Sequence, residues 1–236
     1  LWQNDWQAVS SEPLAASDFY LETVTLAVTS DAQANNDQVV VFAQSVLNRK
    51  LHSRFLKTDE TWTNWMAIDS NENQATALMG QYHVAASIRG QLYVIWVDES
   101  INNQNEPQHS IWFTRFDAAG LTTDKPWLAP DLVSEIRYPN FHETPRLLVG
   151  SENSVAVVWK HPITPLADAI LIRKFQLASG WQEEPEIVAV FPISIKQNIK
   201  HINAALSERG AIVVTWQTLT GSSQLMQTIS MSKSKM

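Results

Sequence analysis

The sequence predicts an all-β fold, a β-propeller of four-stranded antiparallel blades. Three observations point there. Short apolar strands ending on tryptophan recur as GQLYVIWVD (90–98), NSVAVVWKH (153–161) and GAIVVTWQT (210–218). Counted with a weaker copy at 37–45, their spacing averages about 58 residues, the length of a repeated four-strand unit. Each is flanked by further short strands and turn-like links.

The anchors are Trp96, Trp159 and Trp216, and a weaker copy, DQVVVFAQS (37–45), has Ala43 in the Trp place. A companion strand precedes each: TVTLAV (23–28), YHVAAS (82–87), PRLLVG (145–150) and HINAAL (201–206). The links IRGQ, GSEN and SERG have the composition of tight hairpins. A third strand follows, KLHSRFLK (50–57), SIWFTRFD (110–117) or AILIRKFQ (169–176), with apolar and polar residues alternating. A basic–Phe pair recurs in it: Arg54–Phe55, Arg115–Phe116 and Lys174–Phe175. A turn and a second tryptophan come next (Trp62, Trp127, Trp181), and a fourth strand such as EIVAV (186–190) ends the unit. A lone twisted sheet cannot bury both faces, so blades stack and large aromatics fill the wedge between them. Ten Trp and eight Phe suit that task, which makes Trp96, Trp159 and Trp216 core residues rather than sugar platforms.

One domain over 1–236 is expected, with blades over about 22–70, 81–134, 143–190 and 200–236, the last completed by 1–10. Residues 1–10 (LWQNDWQAVS) match the outer strand WTNWMAIDS (62–70) and would pair with the last blade, closing a four-bladed ring and covering an exposed edge. The alternative is a fragment of a larger propeller.

Hydrophobic residues make up 44% and charged residues 17% of 236, a globular balance. The net charge of −7 argues against nucleic acid as a partner. Without cysteine there is no disulfide, thiolate zinc site or thiol chemistry. No apolar run approaches the ~20 residues of a membrane span. The chain starts at Leu1 and not Met, so a preceding stretch was removed, by export processing or otherwise; an exported location is the expectation. Neither a cofactor nor a metal is expected: phosphate-cradling and dinucleotide patterns are missing, HETPR (142–146) lacks the second His of a zinc motif, and DSNEN (69–73) lacks calcium-loop spacing.

Two sets of residues are candidates for ligand binding. His83, His142 and His201 stand at or before the innermost strands, where they would converge on the channel mouth around an anion, a metal or a polar ligand. The other reading of these histidines is that they satisfy hydrogen bonds where blades begin. Trp6 and Trp65 have fewer apolar neighbours than the anchors and are candidates for surface platforms. Arg54 and Arg115 lie on third strands, where pairing with neighbouring blades or solvent is expected.

The layout G-x-x-x-V-x-W followed by I-x-x-x-F-x-x-x-x-G-W, best kept over 154–181, resembles the sialidase-like or BNR-repeat-like propeller group. That resemblance implies blades of this kind. The chain departs from the group's signatures: the Asp-box is absent, ASGW (178–181) keeps only its Gly-Trp end, and IRYPNF (136–141) has Arg and Pro in the wrong order. No catalytic residue transfers on the resemblance, since fold does not carry function.

The expected function is accordingly a non-catalytic binding module that presents one face to a glycan or protein ligand. Oligomeric state is not set by the sequence. The first alternative is a propeller glycoside hydrolase, which needs two carboxylates ~5–10 Å apart; Asp98 and Glu143, near strand ends in different blades, are its candidates. The second is a scaffold within a larger assembly.

Overall fold

The computed structural model describes residues 21–31, 36–45, 49–57, 59, 61–68, 76–87, 91–101, 105–116, 126–136, 144–150, 154–164, 167–192, 198–207, 210–220 and 223–232. They form four antiparallel sheets. The first orders β1 (Leu21–Asp31), β2 (Asn36–Ser45), β3 (Leu51–Phe55) and β4 (Met66–Ala67) side by side. The second repeats the order with β5 (Thr76–Ala86), β6 (Leu92–Ile101), β7 (Pro107–Arg115) and β8 (Asp131–Ile136). In the third, β9 (Arg146–Val149), β10 (Val155–Thr164) and β11 (Ala167–Gln176) are followed by β12 (Gly180–Trp181) and β13 (Glu186–Pro192), both paired with β11. The fourth holds β14 (Asn198–Leu206), β15 (Ile212–Thr220) and β16 (Ser223–Ser232).

Strand alternation explains why the sheets stack. Successive side chains leave opposite faces of a strand, and in the central strands both faces are apolar. From β6, Leu92, Val94 and Trp96 pack with Val40, Phe42 and Phe55 of the first sheet. Tyr93, Ile95 and Val97 of the same strand pack with Val155, Val157 and Trp159 of the third. Ala156 and Val158 then meet Ile212, Val214 and Trp216 of the fourth. Each anchor tryptophan therefore faces the preceding sheet. The innermost strands pack in succession, β1 on β5, β5 on β9 and β9 on β14. This is the blade stacking of a propeller. The proposed closing segment, 1–10, lies outside the described residues.

The recurring Phe-to-Trp step is a short hairpin. Phe116 bridges Trp127, Phe175 bridges Trp181, and in the first sheet the bridge falls one residue later, between Leu56 and Trp62. Gly180 turns the third of these with φ 77, a left-handed conformation that glycine takes without strain.

Gly150, at the tip of β9, is fixed by space. A Cβ there would stand 2.5 Å from Ser154 Oγ and 2.9 Å from Leu206 Cδ2 of the next sheet. Gly150→Ala is expected to cost about 1–2 kcal/mol through overpacking, a melting-point drop of about 2–8 °C. Adding Ser154→Ala should recover part of the loss. A melt of Gly150→Ala indistinguishable from wild type would show that the hairpin has room.

Candidate functional site

Pairing register identifies the inner-strand positions that correspond. Thr25 lies opposite Phe42, His83 opposite Ile95, Arg146 opposite Val158 and Asn203 opposite Thr215. Each of those partners immediately precedes an anchor, so Thr25, His83, Arg146 and Asn203 occupy one repeat position. Three of the four reach the next sheet. Thr25 Oγ1 and Tyr82 Oη share a hydrogen bond of 3.0 Å. The Leu147 N–H donates to His83 Nδ1 at 3.0 Å. Arg146 Nε donates to the Ile202 carbonyl at 2.8 Å. Asn203 donates instead to the His201 carbonyl of its own strand, at 3.4 Å.

Of the expected histidines, His83 is half-buried and accepts a hydrogen bond from backbone. His201 is exposed, with φ 55, at an irregularity of β14 between Lys200 and Asn203. His142 and Trp6 lie outside the described residues, and so does Glu143. The structure brings Arg146 to His83, a neighbour that sequence reasoning missed. Its signal was available: counting from the anchor tryptophans aligns Arg146 with His83, whereas matching His with His does not. Burial, helped by Arg146, holds His83 below the ordinary histidine value.

Trp65 is half-buried on the outer side of the first sheet. The Arg54 guanidinium lies over the Trp62 and Trp65 rings, 5.2 and 5.5 Å from their centroids, a cation–π arrangement. Arg115 lies over Phe175 of the third sheet at 5.8 Å, and Lys174 pairs with Glu186 at 2.8 Å.

Polar residues also follow the anchor tryptophans on β6 and on β10. Asp98, two residues after Trp96, is only 4% exposed. Its neighbour Glu99 approaches buried His109, Oε1 to Nε2, at 3.9 Å. The matching position in the third sheet is His161, two residues after Trp159. Burial lowers the pKa of His161 and Asp168 partly opposes this, while Asp168 pairs with Lys160 at 3.1 Å. Among the described residues no group of three or more His, Asp or Glu is placed to hold a metal ion. No helix among them is long and apolar enough to cross a membrane.

His52 on β3 is buried, and desolvation, with a smaller push from Lys50, lowers its pKa to about 4. A folded value below the unfolded 6.5 means that the unfolded chain takes up the proton first. Stability from the neutral imidazole is complete above pH 6.5 and lost as pH falls through about 4. Between pH 7.5 and 4.5 the expected loss is about 2–3 kcal/mol. Urea titrations at both pH values should show this much less acid sensitivity in His52→Gln; equal sensitivity in both proteins would exclude His52 as its source.

No family model matches the chain, and no curated protein sequence does. Among solved structures it is similar to an endo-arabinase from Bacteroides thetaiotaomicron VPI-5482, with TM-score 0.49 and 11% identity over 94% of this chain and 81% of that one. It is also similar to a Penicillium chrysogenum α-L-arabinanase complexed with arabinobiose, with TM-score 0.49 and 11% identity over 89% and 66% of the two chains. Neither is named as a sialidase. Both are named as enzymes, which stands against the expectation of a non-catalytic binding module.

Proposed function

We propose that the protein is a propeller glycoside hydrolase. The observation that supports it is Asp98, a carboxylate held almost out of solvent on a blade's second strand, two residues past its anchor tryptophan. An apolar β6 run carries it there, and burying a carboxylate costs free energy that an apolar or amide residue would not. Cleavage of a glycosidic bond needs one carboxyl group to protonate the leaving oxygen and another to act as nucleophile or base. Asp98 takes one of these roles. Glu143, three residues ahead of β9, is the partner this reading assigns. A polysaccharide substrate is too large to enter a cell, so an exported location belongs to the same proposal.

The test is to incubate the purified chain with arabinobiose, longer arabinan oligosaccharides and a panel of other glycans, and to separate the products. Release of shorter sugars from one member supports the reading. Intact substrates throughout, from a protein whose far-ultraviolet spectrum shows folded sheet, would overturn it.

A further inference from the structure

We propose that the seam between the second and third sheets is a proton-operated latch: neutral His83 ties β5 to β9 through the Leu147 amide, and a proton on Nδ1 releases it. The reasoning goes beyond the proposed activity and does not depend on it. Three seams are bridged from one repeat position, each with different chemistry. Thr25 with Tyr82 is a hydroxyl pair. Arg146 with the Ile202 carbonyl is a guanidinium–carbonyl bond. Only the middle bridge changes with mild acid.

The geometry makes the change unfavourable in two ways. In the bond from Leu147, His83 Nδ1 is the acceptor, so its lone pair must be free of a proton. Protonated, Nδ1–H would face the Leu147 N–H across 3.0 Å, two donors with no acceptor between them. The new charge would also stand beside Arg146. Around His83, β6 presents Ile95 opposite it, β9 presents Arg146 and Leu147, and β1 reaches β5 through Thr25 on Tyr82. Arg146 is the charge that acts on the ring, and among the described residues no acidic partner offsets it.

The sign follows. Burial and Arg146 lower the folded pKa, so the latch is complete above the ordinary 6.5 and is lost as pH falls below it through the folded value. Since Arg146 also bridges to the fourth sheet, release at His83 disturbs the neighbouring bond. Mild acid would then loosen the inner strands at one seam while the sheets remain intact.

The experiment is residue-resolved NMR on the full chain from pH 8 to 5, with hydrogen exchange corrected for its intrinsic pH dependence. In wild type, the Leu147 amide shift should titrate together with the His83 ring nitrogens. Leu147 protection should fall several-fold, and by no more than about tenfold, between pH 7.5 and 5.5 while amides of β2 and β10 keep theirs. His83→Gln, whose amide oxygen can accept the same bond without titrating, should hold Leu147 protection constant. The proposal is overturned if Leu147 does not follow the His83 titration, if His83→Gln loses protection as wild type does, or if all strands lose protection together. The wild-type titration decides the matter even if the variant does not fold.

Discussion

Replacing Trp159 by alanine is expected to destabilise the protein by about 3–5 kcal/mol, lowering the melting temperature by ~6–20 °C. The side chain is 1% exposed and sits in the core shared by the second and third sheets, among Ile95, Phe113, Val157 and Leu171. Neighbouring blades are themselves rigid sheets, so they cannot collapse into the space left behind, and the cavity cost adds to the lost transfer energy. Trp159→Phe separates packing from polarity. The indole N–H of Trp159 has no hydrogen-bond partner among the described residues, so phenylalanine removes an unsatisfied donor while keeping most of the aromatic surface. That change should cost about 1 kcal/mol or less. Calorimetry on both variants provides the check. An alanine variant within 1 kcal/mol of wild type would mean that the seam between sheets is not close-packed.

The blade pattern was legible because its physics is written residue by residue. A strand covered on both faces must be apolar at consecutive positions, and the runs before Trp96, Trp159 and Trp216 are. The Phe-to-Trp hairpins were legible for a similar reason, since glycine marks the turn in ASGW and the aromatic pair marks its closure. The upstream half of β5 was not. TALMGQ carries no alternation, and its pairing is irregular between Ala77 and Tyr82. The inter-sheet bridge was missed for a different cause. Thr25, His83, Arg146 and Asn203 share a position and a task but no residue type, so a search for repeated histidines led instead to His142 and His201. Counting back from the anchor tryptophans aligns His83, Arg146 and Asn203, and hydrogen-bond register adds Thr25 to them.

Motif searching also cannot see the carboxylates of a glycosidase. Nucleophile elbows and phosphate loops are local, because one tight turn does the work. Two carboxyl groups flanking a sugar come from separate strand ends, and their spacing in sequence carries no constraint. The missing motifs in this chain were therefore weak grounds for expecting a non-catalytic module.

Asp98→Asn is expected to separate activity from stability. Asparagine matches aspartate in shape, so packing against the first sheet survives, and removing a charge from a site this buried relieves its desolvation. Folding stability should change by no more than about 1 kcal/mol, in either direction. If Asp98 donates or accepts the proton at the glycosidic oxygen, turnover should fall about 10²–10⁴-fold, because an amide does neither. KM should move little, since the lost interaction belongs to the transition state. Glu143→Gln should behave alike, and the double variant should be scarcely slower than either single one, as for groups that act as a unit. A structural Asp98 would give the reverse pattern, with the melting temperature down several degrees and kcat of the folded fraction unchanged. Measuring kcat, KM and thermal stability on the same preparation distinguishes the two, and unchanged kcat in Asp98→Asn removes it from the chemistry.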